Sequence, residues 1–335
     1  MRFTTIMAAG AVCLFSGSAF AEFERPVTPN IADVPPLPGF FWTAKARAFA
    51  GYNSNIQYSN DYLFPVTDPG GLVGGLTLDV FGEYGLTNGF SIGGALRTDL
   101  VGYTGGSNDD YDHYSLQPSI FVKHRHQMAN GTDVTLQGTY SFRKTQARNW
   151  KGIDSTNHEF VGRAEFDVPG PWGFFLEGTI ASSDYGVFAA DPSSNRDGTF
   201  KEIIFGVTFV EPPPYPGDVT ARFGLQSYDA AGVNWSYTGW LVGIENRFAI
   251  SGPHFGKLAA TFVSRDYVGD FTSLGYVTDG RKNQQVLTLE GKWMWALSQT
   301  HTFDIGLKHE IVWSNSKQFT GNQTALMGGL TVKLH

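Results

Sequence analysis

From Thr43 onward the chain alternates apolar and polar residues with a period of two, broken at intervals by Gly, Asn, Asp, Ser and Pro. Val134, Leu136, Gly138, Tyr140 and Phe142 interleave with Thr135, Gln137, Thr139, Ser141 and Arg143. Phe160, Gly162, Ala164, Phe166 and Val168 interleave with Glu159, Val161, Arg163, Glu165 and Asp167. Phe303, Ile305, Leu307, His309, Ile311 and Trp313 do the same with Thr302, Asp304, Gly306, Lys308, Glu310 and Val312. Successive side chains of an extended chain point to opposite faces, so these segments read as strands with one oily and one hydrophilic side. They begin near Thr43, Gly71, Phe90, Tyr114, Thr132, His158, Gly173, Phe200, Gly217, Tyr237, Gly256, Gln284, His301 and Gln323, which predicts about fourteen strands. Most run for about ten to fourteen residues, longer than a typical globular strand and enough for a tilted strand to cross a bilayer.

The connections alternate between short and long. Thr87-Asn88-Gly89, Asn130-Gly131, Pro169-Gly170-Pro171, the Pro212 to Pro216 corner, Ser251-Gly252-Pro253 and Ser298-Gln299-Thr300 are short. Ser54 to Gly70, Gly102 to His113, Lys144 to Asn157, Asp184 to Thr199, Asp229 to Ser236 and Asp266 to Asn283 are long, with a smaller one at Ser316 to Gly321. An antiparallel up-and-down barrel in an outer membrane has this pattern, with tight turns on the periplasmic side and longer loops outside. A soluble barrel with about fourteen strands would enclose a space too wide for side chains to fill, so the polar face is expected inside and the apolar face against lipid. Small outward residues such as Gly74, Gly94, Gly138 and Gly162 would pack a soluble core poorly and are tolerable against fluid lipid.

Composition narrows the classes. Lys plus Arg number 24 against 31 Asp plus Glu, a formal net charge of -7, which argues against a nucleic-acid partner. Only 16% of residues are charged and 15% are aromatic, with 41 Gly, unlike a soluble helical enzyme or a disordered chain. Mean hydropathy is -0.17, and beyond the N-terminus no apolar run approaches the roughly 20 residues of a membrane-spanning helix.

At the N-terminus, Arg2 precedes an apolar stretch from Ile6 to Phe15 and then Ser18-Ala19-Phe20-Ala21, so residues 1–21 are expected to be a cleaved secretory signal. The single Cys13 would leave with it, and with it any disulfide or Cys-based metal site. Residues 22–41, with Pro26, Pro29, Pro35, Pro36 and Pro38, read as an extended periplasmic lead-in, with docking to a periplasmic partner or plugging of the pore as alternatives. Residues 42–335 are then the barrel.

Aromatic residues sit where strands should leave the membrane. Phe40, Phe41, Trp42, Phe90, Trp172, Phe174, Phe248, Trp293, Trp295 and Phe303 lie near the short turns. Tyr103, Tyr111, Tyr114, Tyr185, Phe200, Tyr228, Trp235, Tyr237, Tyr267 and Trp313 lie near the long loops. Two interfacial girdles are expected from them.

The polar parity of each strand yields the expected pore lining. Its basic members are Lys45, Arg47, Arg97, Lys123, Arg125, Arg143, Arg163, Arg222, Arg247, Lys257, Arg265, Lys292 and Lys308. Its acidic members are Asp79, Glu83, Asp99, Glu159, Glu165, Asp167, Glu177, Glu202, Glu245, Glu290, Asp304 and Glu310. Charges of both signs crowded in a wall either leave a hydrated channel or pair across the lumen and close it. The surplus acid falls in the long loops, where Asn108-Asp109-Asp110-Tyr111-Asp112 offers hard oxygens for a divalent cation bridging to lipopolysaccharide phosphates. It lacks the Gly and terminal Glu of an EF-hand loop, and a solvated loop is the favoured reading.

Catalytic chemistry finds no constellation. His124 and His126 lie at the periplasmic end of their strand, and His309, Ser314 and Ser316 have no base-orienting acid. No enzyme activity, cofactor or metal is expected. The chain resembles Gram-negative outer-membrane β-barrels, and Phe49-Ala50-Gly51-Tyr52-Asn53-Ser54-Asn55 is similar to the opening of tetratricopeptide-linked barrels, among them surface lipoprotein assembly modifiers and some polysaccharide-export porins. That resemblance implies an outer-membrane location among lipid and lipopolysaccharide, and insertion by the barrel assembly machinery. Two roles follow as expectations: a channel for polar solutes or the exit pore of an export system, or a closed barrel serving as a structural or assembly partner. A lipid-modifying enzyme ranks below both.

Overall fold

The computed structural model describes residues 39–55, 70–86, 89–104, 112–148, 154–185, 195–211, 217–269, 281–315 and 319–334. The expected signal, most of the Pro-rich lead-in and much of the long loops, including Asn108 to Tyr111 and Ser316, lie outside them.

Fourteen strands form one closed, wholly antiparallel barrel in chain order. They are β1 (Gly39–Asn53), β2 (Gly71–Gly85), β3 (Phe90–Tyr103), β4 (His113–Gln127), β5 (Asp133–Ala147), β6 (Ser155–Asp167) and β7 (Trp172–Tyr185). The ring continues through β8 (Gly198–Glu211), β9 (Gly217–Ala230), β10 (Tyr237–Ser251), β11 (His254–Tyr267), β12 (Asn283–Ala296), β13 (His301–Ser314) and β14 (Gly321–Lys333). β1 closes it, pairing with β2 on one side (Lys45 opposite Asp79) and β14 on the other (Arg47 opposite Thr331). A 3-10 turn, Val233–Trp235, joins β9 to β10.

The short turns form because glycine supplies the left-handed backbone they need: Gly89, Gly131, Gly170 and Gly252 have φ of 77°, 83°, 116° and 54°. β1 starts at Gly39 rather than at Thr43, so residues 39–41, assigned by composition to the lead-in, belong to the barrel. Phe40 and Phe41 pair with Tyr84 and Glu83, and the Phe41 ring lies 6.3 Å from that of Phe81.

Each strand buries one parity and exposes the other. Ile120 is 65% and Leu136 48% exposed, whereas Glu83 is 2% and Glu310 1% exposed. A water-soluble protein reverses this pattern, and a cylinder set in hydrocarbon requires it. With strands about 4.8 Å apart and tilted by about 40°, fourteen of them enclose a backbone cylinder of about 14 Å radius.

Candidate functional site

Most charged residues of the strands share the inward parity, the exceptions being Lys144, Asp184, Lys201, Asp229 and Asp266 near the long-loop ends, and the register aligns the inward ones in rows across neighbouring strands. Lys45, Asp79 and Arg97 are consecutive partners on β1, β2 and β3. Thr135, Glu165 and Phe175 follow one another on β5, β6 and β7, as do Gln137, Arg163 and Glu177. Ser141 faces Glu159 across β5 and β6, Arg143 faces Asn157, and Arg125 on β4 faces Thr135. Arg222 faces Gly243, Glu245 faces Ala259, and Glu202 on β8 faces Gln226 on β9. Glu290 faces Lys308, Glu310 faces Thr288, and Arg265 faces Gln284.

These charges pair along the wall. Lys123 Nζ lies 2.9 Å from Glu83 Oε2 with Ser91 donating to the other oxygen, and Arg125 is 3.7 Å from Asp133. Arg97 sits 3.3 Å from Asp99 and 3.9 Å from Asp79, and Thr77 and Ser115 donate to the two oxygens of Asp99 at 2.8 and 3.1 Å. Arg163 bridges Glu165 at 2.6 Å and Glu177 at 3.1 Å, its guanidinium 4.2 Å from the Phe175 ring centroid. A longer chain crosses β9 to β13: Asp218 to Arg247 at 3.1 Å, Arg247 to Glu245 at 3.4 Å, Glu245 to Lys257 at 3.0 Å, Lys257 to Glu290 at 3.8 Å, and Glu290 to Lys308 at 3.8 Å. Asp304 takes Lys292 at 3.3 Å and Arg47 at 2.8 Å. Each of these pairs joins the same, adjacent or next-adjacent strands.

Glycines let the longer reaches lie flat. Arg47 passes over Gly329, where an added Cβ would stand 2.7 Å from its Nη2. Arg222 crosses Gly243 to donate to Thr261 at 3.2 Å, and a Cβ on Gly243 would stand 2.8 Å from its Nε. The Phe175 ring likewise occupies the space above Gly206. Side chains laid along the wall over glycine project less toward the axis.

The inner face also carries apolar residues that composition does not reveal. Ile204, Gly224, Leu241, Val263, Val286 and Val312 form one row across β8 to β13, and the Phe81 and Phe121 rings stack at 5.4 Å on the wall of β2 and β4. The expected girdles are corrected accordingly. At the short-turn end Phe40, Trp42, Phe90, Trp172, Phe174, Trp293, Trp295 and Phe303 share the outward parity, whereas Phe41 turns inward. At the long-loop end Tyr114 and Trp313 are outward and exposed, but Tyr103, Tyr185, Phe200, Tyr228, Tyr237 and Tyr267 have inward parity and Trp235 is buried. Tyr228, Trp235, Tyr237, Tyr267 and Phe319 form a packed cluster. Lys282 Nζ sits among them, 3.7 Å from the Phe319 centroid and 4.0 Å from that of Tyr267. Burial, with Arg265 nearby, holds its ammonium well below the ordinary lysine range.

The catalytic candidates are engaged elsewhere. His124 stacks on Phe90 at 4.1 Å, His309 Nδ1 lies 2.8 Å from Thr324 Oγ1 on the outward face, and Ser314 donates to the Asn283 carbonyl at 2.7 Å. Of the acidic cluster, Asp112 accepts the Tyr103 amide at 2.7 Å and lies 3.8 Å from Arg148, a loop-fastening role.

No family model matches the chain, and no curated protein does. Solved structures do. The chain is similar to an anion-selective porin from Comamonas acidovorans, at 10% identity and a TM-score of 0.49 over 88% of this chain and 99% of that one. It is similar to the outer membrane channel DcaP of Acinetobacter baumannii, at 11% identity and a TM-score of 0.47 over 90% and 100%. A loop-deletion mutant of OmpT, an outer membrane protein of Vibrio cholerae, aligns at 7% identity and a TM-score of 0.48 over 88% and 99%. What this barrel does is therefore read from its own wall.

Proposed function

We propose that the protein is an outer-membrane channel for small polar solutes. The observation that carries this reading is the inner wall: charged residues on every strand from β1 to β13 face inward and pair along the wall instead of across it, within a cylinder wide enough to hold water. The wall's nearly balanced charge suits polar solutes of either sign over one strongly charged species. The exit pore of an export system would use the same wall. The solute reading is preferred because the ion-pair chains from Asp218 to Lys308 and from Arg47 to Lys292 present closely spaced charges that exchange partners with a small passing solute. Arg97, Arg125, Arg163, Arg222 and Arg247 are the basic residues whose charge a solute would meet.

Planar-bilayer recording and liposome swelling test the proposal. Purified protein is expected to conduct, and Arg163→Ala and Arg247→Ala to shift ion selectivity toward cations. A barrel that folds and inserts but neither conducts nor passes any solute overturns it. Removing residues 22–38 separates the assembly-partner role, because a channel conducts without them and a docking protein loses its partner.

A further inference from the structure

The outward face of the strands is mostly apolar, with Asp184, Asp229 and Asp266 near the long-loop ends, and its lysines are confined to one sector, where Asp184 lies in the same row as Lys144. Among the described strand residues, Lys144 on β5 and Lys201 on β8 are the lysines that project outward. Both are exposed and lie near the long-loop ends of their strands. Between them His158 on β6 shares a 2.8 Å hydrogen bond with the Tyr140 hydroxyl. Tyr140, Phe160, Ile180 and Lys201 are consecutive partners in one row across β5 to β8.

Directly below that row, toward the short turns, the wall is hollowed. Val122, Gly138, Gly162, Gly178 and Ile203 form the next row. A Cβ added at Gly162 or Gly178 would meet nothing within 4 Å, and one at Gly138 would first meet Phe160 Cζ at 3.8 Å. The result is a groove of about 560 Å³ walled by Val122, Leu136, Phe160, Ala164, Leu176 and Ile203.

We propose that this sector of β4 to β8 binds a phosphorylated, acylated lipid of the outer leaflet, with an acyl chain in the glycine groove and separate phosphates at Lys144 and at Lys201. Depth supports the match. Strands of this length, rising about 3.4 Å per residue and tilted by about 40°, make a wall about 10 Å taller than the apolar band of about 25 Å, so long lysine stems near the rim carry their ammonium groups to headgroup level. Charge supports it too, since neither lysine forms an ion pair among the described residues and a lipid phosphate supplies the missing counter-charge. The inference rests on the membrane placement proposed above and not on conduction, so a barrel that binds the lipid yet passes no ion keeps this site and loses the channel.

The test uses folded full-length protein in detergent, with lipid A (a bis-phosphorylated, acylated glucosamine disaccharide) as the probe and phosphatidylcholine and inorganic phosphate as comparators, read by native mass spectrometry and by the shift in unfolding temperature. Lipid A is expected to remain bound and raise the unfolding temperature. Its affinity should fall about tenfold in Lys144→Gln/Lys201→Gln and by a similar factor in Gly162→Leu/Gly178→Leu. If the leucine pair fails to give the heat-modifiable folded form, the single Gly178→Val variant replaces it. Equal retention of phosphatidylcholine overturns the proposal, as does an equal thermal shift from inorganic phosphate alone. So does a glycine variant that loses an oligomer while keeping lipid A.

Discussion

The guanidinium of Arg47 on β1 crosses Gly329 of β14 and places Nη2 2.8 Å from Asp304 Oδ1 on β13. The glycine is what makes the span possible, because any Cβ at 329 would occupy the path of the guanidinium. Gly329→Val is therefore expected to swing Arg47 off the wall and toward the axis. Single-channel conductance should fall, with a smaller change in Gly329→Ala. Conductance equal to the parent in both variants would show that Arg47 does not need the notch.

A second expectation concerns stability. Lys123 and Glu83 are both almost fully buried and lie 2.9 Å apart, with Ser91 completing the carboxylate's hydrogen bonds. Glu83→Ala strands a buried ammonium and should cost about 3 kcal/mol or more. Replacing both partners, as in Glu83→Leu/Lys123→Met, should recover most of that loss, since the unpaired charge and not the missing contact is the expensive part. Urea unfolding in lipid or detergent reads both, and additive losses in the double variant would contradict this account.

Orientation can be tested residue by residue. Leu136 is exposed on the outer face, whereas Gln137 donates to Thr139 at 2.9 Å on the inner one. Cysteines placed at these two neighbours should separate cleanly in a bilayer. A water-soluble maleimide should label Gln137→Cys and spare Leu136→Cys, and a lipid-borne quencher should report the reverse.

Lys282 lies outside the strands, and its ammonium is held well below the ordinary range by burial and then by Arg265. A base whose value is lowered in the packed arrangement takes up its proton more readily when released. The Tyr267, Phe319 and Trp235 packing around it is therefore most stable above the ordinary lysine value and weakens as pH falls from there toward the lowered one. Hydrogen-exchange protection factors at residues 233–235 should decrease with falling pH, and Lys282→Met should remove that dependence.

Much of this was legible in the chain itself. A two-residue period places each charge on a face without reference to any partner, which is why Arg163 and Glu165 read as inward while Phe160 and Phe166 read as outward. Gly89, Gly131, Gly170 and Gly252 mark tight turns because their left-handed backbone is a local requirement. The aromatic residues near the long loops were harder, since residue type suits them equally to a membrane interface and to a packed inner cluster. Tyr237 carries the same parity as Glu245 and Arg247, and that parity, not its aromatic ring, turns it inward.

Strand number, turn positions and the face of each side chain were thus determined by the sequence alone, because they depend on neighbours one or two residues away. Which charges meet was decided only by the closed ring. Arg47 and Asp304 lie near opposite ends of the chain and become partners because β1 pairs with β14, and the register of β5 to β7 aligned Gly138, Gly162 and Gly178 into one hollow. Register and closure are long-range relations, and no local pattern encodes which distant strand will supply a side chain's counter-charge.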